Sequence, residues 1–395
     1  MENGGITYPE GFYASGLYCG IKKKKTNDIS MILSETPCVA AGTFTTNKFK
    51  SFSLLWSLKN INNPIRAVLI NSGNANTCNG QESRIDTASL MGELAGLLKM
   101  KKKELLFAST GSIGRELPYS KIVKALPELI SRLDRKAHTE AAKGILTTDL
   151  AVKEWHEDTG IKGRGKEVVI GAMAKGSGMI NPSMATMLAF VTTDAVIDRD
   201  ALRTALKEAV EDSFNMITVD NDTSTNDMVV CLANGLAKNP AIHEGSGEYR
   251  TFASCLKNVC RELAVKIAAD GEGATKLIEV RVKGGWCMSD SRRIAKKIAG
   301  SNLFKSAVYG CLPNWGRILS SAGSVHARID TASTDVSICG IKVYDGNPVK
   351  YDQADLVNRM AGSKVEICVD VKKGVFEAVS WGCDLTEKYV EINKE

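Results

Sequence analysis

The segment KGSGMINPSMATMLAFVTTDA, residues 175–195, joins a turn-rich loop to an apolar strand, and it decides how the chain is interpreted. Its first half is rich in glycine, asparagine and proline, which favour turns and unusual backbone angles. Its second half, from Thr186, has the apolar and β-branched residues of a buried β-strand. The sequence therefore predicts a strained loop that ends at a threonine on a dry strand.

A threonine at such a junction has two interpretations: a bland one, in which it has only a structural role, and a chemical one, in which it takes part in a reaction. Taken alone, Thr186 is most simply a strand residue. In the chemical alternative, its hydroxyl attacks the carbonyl of Ala185, and the resulting ester hydrolyses to leave Thr186 with a free α-amine. Such an amine has an ordinary pKa of about 7.7–8.0, so it serves as a general base to its own hydroxyl near neutral pH. Spacing alone does not choose between the two.

The composition is that of an ordinary globular protein, with 395 residues, 44% hydrophobic and 24% charged, and a net charge of +6. This length predicts two or three cooperating layers or domains. The basic runs 22–25 and 101–103 lack interleaved aromatic residues, so we expect solvated surfaces and no nucleic-acid binding. No stretch approaches the roughly 18–20 apolar residues of a membrane span, and residues 1–12 carry no secretory signal. We therefore expect a cytoplasmic protein without membrane contact.

Eleven cysteines and four histidines are scattered along the chain without a CxxC pair. The closest cysteines, Cys255 and Cys260, fit no common zinc spacing, so we expect reduced thiols and no metal. The scattered histidines argue against metal catalysis and against a Ser-His-Asp triad. The acidic motif at 220–227 lacks the glycine and glutamate spacing of a calcium-binding EF-hand, and the Gly-Ser-Gly at 176–178 is not a nucleotide-binding P-loop.

Strand-like and helix-like stretches alternate along the chain, which has no internal repeat and no low-complexity linker. The patterns predict strands at 67–71, 168–173, 187–191, 277–282, 337–343, 364–371 and 375–381. They predict helices at 86–100, 119–133, 198–214 and about 252–269, the first of them capped by Asp86. The sequence therefore predicts a mixed α/β protein with tightly connected parts.

Motifs along nearly the whole chain resemble those of the ornithine acetyltransferase (ArgJ) family, the glutamate N-acetyltransferases of arginine biosynthesis. Besides the segment 175–195, the resemblance rests on GGITYPEGFYASGLYCGIK at 4–22, AAGTFTTNKFKS at 40–51, NSGNANTCNG at 71–80, STGSIG at 109–114, LTTD at 146–149, DNDTSTND at 220–227, DGEGATK at 270–276, NWGRI at 314–318 and YVEIN at 389–393. It implies an α/β fold of the self-cleaving DmpA/ArgJ-like type, with stacked β-sheets flanked by helices.

The resemblance also implies that the chain cuts itself between Ala185 and Thr186. The products would be an N-terminal (alpha) fragment, residues 1–185, and a C-terminal (beta) fragment, residues 186–395, which begins with the catalytic nucleophile Thr186. The two fragments would stay interlocked. Two copies of each would form an alpha2-beta2 heterotetramer.

Further site residues are assigned by the same resemblance. Thr110 and Gly111 match the family's oxyanion-hole pair, whose donors stabilise the anion of a tetrahedral intermediate. The matching substrate-binding residues are Thr148 (with Thr147 as the neighbouring alternative), Lys175, Thr186, Glu272 and Asn393. Considered singly, several have bland interpretations: a plain turn for 110–111, a solvated loop lysine for Lys175, and a cap or a surface ion pair for Glu272.

The implied reaction moves the acetyl group of N2-acetyl-L-ornithine to L-glutamate through an acetyl-Thr186 intermediate. It needs no cofactor, and acetyl-CoA stays open as a second acetyl donor. Two alternatives also stay open. One is a self-processing amidohydrolase, similar to the related aminopeptidases, in which water accepts the acyl group. The other is a catalytically silent paralogue that binds a ligand or a partner.

Three departures from the family pattern bear on the substrate. Leu312 stands where the family usually has an aspartate, and Asn221 replaces a glycine of the acidic motif. The chain also ends at Glu395, short of a serine or threonine with which the family contacts substrate. None of the three falls on the nucleophile or on the oxyanion pair. We therefore expect the departures to affect the choice of substrate more than the type of reaction.

Overall fold

The computed structural model describes residues 4–180 and 187–394 of the chain, and these form two compact units. Unit 1 takes its described residues from 1–176, 183–213 and 223–263. Unit 2 takes its described residues from 177–182, 214–222 and 264–395. The first assigned element and the predicted oxyanion pair belong to unit 1, whereas the C-terminal motifs belong to unit 2.

The described residues contain strands and helices in alternation. The strands are β1 (Phe12–Leu17), β2 (Ile29–Phe44), β3 (Ile65–Asn74), β4 (Leu105–Ser112), β5 (Lys153–Lys162), β6 (Glu167–Lys175), β7 (Leu188–Thr193), β8 (Ile217–Thr218), β9 (Met228–Ala233), β10 (Leu277–Gly285), β11 (Asp335–Ile338), β12 (Ile341–Asp345), β13 (Lys364–Asp370) and β14 (Phe376–Cys383). The α-helices are α1 (Phe52–Asn60), α2 (Glu82–Leu98), α3 (Tyr119–Ser131), α4 (His138–Gly144), α5 (Arg199–Glu211), α6 (Gly247–Ala269), α7 (Met288–Ala299), α8 (Asn302–Tyr309), α9 (Trp315–Gly323), α10 (Gln353–Met360) and α11 (Glu387–Asn393). Short 3-10 turns occupy Gly5–Thr7, Lys102–Glu104 and Phe214–Met216.

Unit 1 is built on an eight-stranded sheet with the order β4-β3-β2-β9-β7-β6-β5, and β1 pairs with β2 beside this path. The β3–β4 and β7–β9 pairs are parallel, and the other pairs are antiparallel. The first part of β2 pairs with β1 and β3, and its last part pairs with β9. Its register with β3 shifts between Leu33 and Cys38, and irregularities of this kind bend a strand.

The two halves of this sheet share one apolar core. Its buried residues come from β3 and β4, from β7 and β9, and from α1 and α4, among them Val68, Ile70, Leu106, Phe190, Val230, Leu232, Leu54 and Ala141. The alternate residues of β3 and β4 point to a second core, which α2 and α3 cover, as the two-residue period of a strand requires. The predicted α/β fold with stacked sheets and flanking helices is therefore confirmed.

Unit 2 contains a six-stranded sheet with the order β12-β11-β13-β10-β14-β8. The β10–β13 and β14–β8 pairs are parallel, and the others are antiparallel. Helix α7 packs on β10 and β14. It turns Ile294, Ala295 and Ile298 inward and exposes Arg293 and Lys297, which is the pattern of a surface helix.

Three predicted elements differ from the structure. The single strand predicted at 337–343 is wrong, because Cys339 and Gly340 have positive φ angles of 47° and 80° and turn the chain into the β11–β12 hairpin. The cap assigned to Asp86 is also wrong, because α2 already begins at Glu82. Helix α6 begins earlier than predicted, since Ser246 Oγ accepts the Tyr249 N–H at 3.0 Å in the manner of an N-cap.

The other predicted strands and helices are confirmed apart from their exact ends. Among the helices in residues 4–180 and 187–394, none combines the length and the apolar character that a membrane span requires.

Candidate active site

Strands β3 and β4 end side by side at the predicted oxyanion pair. Thr110 and Gly111 directly precede Ser112, the last residue of β4, and in the parallel register they lie opposite Ser72 and Gly73. The plain turn that was the bland interpretation of this pair is therefore wrong. Thr110 is buried and Gly111 is exposed, so the pair marks the place where a buried strand reaches the surface.

Gly111 is a position that only glycine fits. Its φ of +132° is a conformation that side chains avoid. A Cβ atom there would also lie 2.4 Å from the carbonyl carbon of Gly73 and 2.6 Å from the nitrogen of Asn74. The two backbones consequently approach each other without an intervening side chain, and the exposed side of Gly111 stays uncovered.

The side chain of Asn226 joins three sequence motifs near this pair by hydrogen bonds. Its buried Nδ2 donates to the carbonyl oxygens of Ala75 and Ser109, both at 2.7 Å. Ser109 Oγ in turn donates to Asn71 Oδ1 at 2.6 Å. The motifs at 71–80 and 109–114 and the end of the acidic motif therefore meet. No role for Asn226 was predicted from the sequence, although a buried asparagine needs partners of this kind.

A second group of motif residues surrounds Asp149, whose side chain is fully buried. Its Oδ1 accepts from Lys153 Nζ at 2.8 Å and from the Gly176 N–H at 2.7 Å. Its Oδ2 accepts from the Thr147 N–H at 3.0 Å and lies 3.7 Å from Lys175 Nζ. Burial acts to raise the pKa of this carboxyl, but the two lysines outweigh burial and hold the pKa well below its ordinary value. Asp149 is therefore ionised.

Lys175 lies at the end of β6 with only 1% of its surface exposed, so its bland interpretation as a solvated loop lysine is wrong. Its Nζ donates to Thr147 Oγ1 at 2.7 Å. Thr148, the residue matched to a substrate contact, is exposed. The structure thus brings Thr147 rather than Thr148 to the lysine, and the residue that touches substrate stays a prediction.

Asp227 is a buried acid that directly follows Asn226 and that the sequence analysis left without a role. Its Oδ1 accepts the Met187 N–H at 3.1 Å, and its Oδ2 has no hydrogen-bond partner among the described residues. Burial raises its pKa well above the ordinary value, which favours the neutral form of this carboxyl. Met187 follows the predicted nucleophile Thr186 in sequence, so Asp227 anchors the first residue after it. Thr186 and Ala185 themselves lie outside the described residues.

Glu272 and Asn393 are brought together in unit 2. Asn393 Nδ2 donates to Glu272 Oε2 at 2.8 Å, and the Glu272 N–H donates to the Ser177 carbonyl at 3.1 Å. A Cβ atom on Gly178 would lie 2.4 Å from the Glu272 carboxyl group. The carboxylate therefore faces the loop 177–180, which leads to the segment with the predicted cleavage bond.

Asp220, the first residue of the acidic motif, binds the backbone of the same loop, 177–180. Asp220 accepts the N–H groups of Met179 and Ile180 at 2.5 and 2.8 Å, and burial raises the pKa of its carboxyl. Asn221 has a φ of +67°, which explains how asparagine replaces the usual glycine, since asparagine tolerates the left-handed region. Leu312 is 46% exposed, and nothing in the structure explains its replacement of the usual aspartate. In the described ranges, no three His, Cys, Asp or Glu residues form a group suited to a metal ion.

Comparison with known proteins assigns the chain to a family. The sequence model of the ArgJ family matches residues 13–395. This chain belongs to the ArgJ family. The arginine biosynthesis bifunctional protein ArgJ of Symbiobacterium thermophilum is 45% identical over 394 residues, which are 99% of this chain and 98% of that protein. The protein of the same name from Thermotoga neapolitana is 44% identical over 393 residues, 98% of each chain.

A solved ArgJ chain agrees with the fold. The crystal structure of arginine biosynthesis bifunctional protein argJ from Bacillus halodurans is 41% identical, with a TM-score of 0.51. The match covers 52% of this chain and 97% of the solved one, so the solved chain is about half as long. The predicted family, the acetyltransferase class and the assignment to arginine biosynthesis are confirmed. The roles of single residues stay predictions.

The replacement Gly111→Ala tests the close approach of β3 and β4. We expect acetyl transfer to fall by about 10²–10³-fold, the scale for loss of an oxyanion donor. Overpacking between the two backbones should also lower the free energy of unfolding by about 1–3 kcal/mol. The control is Gly114→Ala, where φ is also positive but no atom lies within 4 Å of the new Cβ. Steady-state rates and thermal unfolding measure both effects, and equal behaviour of the two variants would contradict this role for Gly111.

Proposed function

We propose that this ArgJ family member transfers the acetyl group of N2-acetyl-L-ornithine to L-glutamate through an acetyl ester on Thr186. The observation that carries the proposal is the family match over residues 13–395, because it includes the segment 175–195 and every motif described above except the first nine residues of the motif at 4–22. The buried, hydrogen-bonded Lys175 and the position of Thr110 and Gly111 in the β3–β4 pair support it, since acyl transfer depends on fixed charges and donors.

Self-cleavage between Ala185 and Thr186 is the first step of the proposal, and it divides the chain into fragments 1–185 and 186–395. In unit 1, the strands β9 and β7 of the second fragment lie side by side between β2 and β6, which belong to the first fragment. Breaking one peptide bond ahead of β7 leaves these strand pairs intact, so we expect the fragments to stay together. The half-length of the solved relative supports a divided chain.

In the first half-reaction, the α-amine of Thr186 takes the proton of its own hydroxyl, and the oxygen attacks the acetyl carbonyl. Thr110 and Gly111 donate to the oxyanion. Lys175 binds the α-carboxylate of the substrate, and Asp149 holds that lysine in place from inside the protein. The C–N bond then breaks, and ornithine leaves with the proton from the amine.

The second half-reaction runs the same chemistry in reverse. The α-amine of glutamate attacks the ester carbonyl, a proton returns to the oxygen of Thr186, and N-acetylglutamate leaves.

The remaining predicted residues bind substrate. Glu272 pairs with the side-chain ammonium of ornithine, and Asn393 orients the Glu272 carboxylate through its 2.8 Å hydrogen bond. Thr147 or Thr148 completes the substrate contacts. No cofactor takes part in this scheme, because the nucleophile, the base and the oxyanion donors all come from the chain.

Initial-rate kinetics with both substrates varied test the covalent route. A covalent intermediate separates the two substrates in time, so double-reciprocal plots should give parallel lines. Intersecting lines would contradict an acetyl-enzyme. Acetate released from N2-acetylornithine without glutamate, at a rate equal to that of transfer, would favour the amidohydrolase alternative instead.

Three further parts of the proposal concern donor, assembly and location. The relatives are named bifunctional, which supports acetyl-CoA as a second acetyl donor, to be tested in the same assay by release of the free CoA thiol. We propose an alpha2-beta2 heterotetramer, to be measured as a native mass of two chain equivalents. We place the enzyme in the cytoplasm because all eleven cysteines, each within the described residues, are free thiols.

A further inference from the structure

Lys22 lies on a loop that one buried carboxylate holds in shape. Asp28 is fully buried, and it accepts the N–H groups of Cys19 at 2.7 Å, Ile21 at 2.7 Å and Lys22 at 3.0 Å. Three charge-assisted bonds to consecutive parts of one loop fix its backbone. The loop that presents Lys22 is therefore preorganised rather than a solvated basic tail.

The stem of the Lys22 side chain packs against Gly73, next to the oxyanion pair in the sheet register. Its Cγ atom would lie 3.1 Å from a Cβ atom built on Gly73, and Gly73 is the register partner of Gly111. The side chain is half-buried, and its Nζ donates to the Asn27 carbonyl at 2.6 Å. An ammonium group carries three donors, so this bond accounts for one of them.

The charges around Lys22 are those of the Lys175 group. Burial lowers the pKa of Lys22 to about 8; Asp28 and Asp149 act to raise it, and Lys175 lowers it further. Together with Lys153, three lysines thus share this region with the carboxylates of Asp28 and Asp149, and Asp28 already accepts from three N–H groups. Lys175 also acts on a third acid, Asp227, but the burial of Asp227 favours its neutral form. The region has a surplus of positive charge, which favours an anionic ligand.

We propose that Lys22 selects a dicarboxylic acetyl acceptor by binding the side-chain carboxylate of glutamate, while Lys175 holds its α-carboxylate. The inference rests on the proposed transfer reaction. Donor and acceptor share an α-carboxylate but differ at the far end, where ornithine carries an ammonium and glutamate a carboxylate. A cation beside Gly73, the register partner of Gly111, distinguishes these ends.

The surroundings of Lys22 also predict how pH acts on the two half-reactions. The groups that act on its charge are Asp28, Asp149 and Lys175, and its Nζ contacts the Asn27 carbonyl. As pH rises through about 8, Lys22 loses its proton. Glutamate should then bind more weakly, whereas N2-acetylornithine gains from the loss of a like charge.

The variant Lys22→Met tests the proposal, because it keeps the apolar stem and removes the charge. The acetyl-enzyme is made with N2-acetylornithine, freed of ligand, mixed with glutamate or with its neutral isostere glutamine, and followed by intact mass. Loss of one charge-assisted contact should raise the half-saturating glutamate concentration by about 10–100-fold and leave that for glutamine nearly unchanged. The glutamate preference over glutamine should therefore collapse, and Lys22→Arg should restore part of it.

Lys23→Met is the matched control, since Lys23 is the neighbouring residue and its side chain is exposed. It should behave as the unchanged chain does. An unchanged glutamate preference in a folded Lys22→Met protein, checked by thermal unfolding, would overturn the proposal, and so would an equal loss for glutamate and glutamine. If the unchanged chain takes up no acetyl group from N2-acetylornithine, the proposed function itself fails, and that result is visible before any variant is compared.

Discussion

Replacing Thr186 with alanine is expected to leave one uncut polypeptide and to lower acetyl transfer by a factor on the order of 10⁴ or more, because the variant lacks the nucleophile for both reactions. Gel electrophoresis measures the cleavage, and steady-state assays with N2-acetylornithine and glutamate measure the transfer. The β-strand interpretation of Thr186 predicts neither effect. The replacement therefore separates the chemical interpretation from the bland one.

The matched control for this variant is Thr186→Ser, which keeps a hydroxyl at the same position. It should still cut itself and should still accept an acetyl group, because serine offers the same nucleophilic oxygen and the same α-amine after cleavage. An uncut Thr186→Ala chain that turns over at the rate of the unchanged protein would remove Thr186 from the mechanism. Cleavage in that variant would place the cut elsewhere.

The second large effect is expected for Asp149→Asn. Asp149 is fully buried between Lys153 and Lys175, so its neutral replacement leaves two buried lysines without their carboxylate. Breaking a buried ion pair by removing one partner costs about 3–5 kcal/mol of stability. The measurement is urea unfolding in the Thr186→Ala background, where the chain is expected to stay in one piece. The same variant should also weaken binding of the substrate carboxylate, because Lys175 loses its support.

The pH dependence of this effect follows from the lowered pKa of Asp149. A carboxyl whose pKa is lower in the folded chain than its ordinary value of 3.8 stabilises the fold above that value, and the contribution fades as pH falls below it. The difference between Asp149→Asn and its parent should therefore be full near pH 7 and shrink in acid. Asp200→Asn is the control, since Asp200 is 87% exposed beside Arg203 and should cost less than about 1 kcal/mol. Equal losses for the two variants would contradict the buried cluster.

The sequence predicted the regular parts of the fold because the spacing of apolar residues reflects which face is buried. It located β3 and β10 and the helix that becomes α5 without help from any relative. It failed at the β11–β12 hairpin, because cysteine is not a typical turn residue and the single glycine beside it, Gly340, is compatible with a strand. The positive φ of Cys339 depends on the pairing of the two strands. Local patterns do not contain that information.

The sequence motifs predicted which segments contribute to the candidate site, but they did not predict which side chains point inward. The pattern LTTD cannot tell whether Thr147 or Thr148 points inward, since neighbouring side chains face opposite ways and only the fold shows that Thr147 contacts Lys175. The run of lysines at 22–25 was predicted to be a solvated surface. Residues 23–25 are exposed, but Lys22 is half-buried, because Asp28 turns the loop at that residue.

The roles of Asn226 and Asp227 could not be predicted from the sequence for a related reason. Both belong to a motif that the sequence analysis quoted, yet their partners lie far away along the chain: Ala75 and Ser109 for Asn226, and Met187 for Asp227. A buried polar residue within an apolar stretch signals that a partner exists, but it does not say which residue that partner is.

The proposed function depends on two events: the chain cuts itself to expose Thr186, and that residue then carries the acetyl group. Intact mass spectrometry of the purified protein, before and after brief mixing with N2-acetylornithine, tests both events directly. We expect two fragments that divide at Ala185–Thr186, with one acetyl group added to the C-terminal fragment. A single uncut chain that takes up no acetyl group would contradict it and would leave the catalytically silent paralogue as the better description.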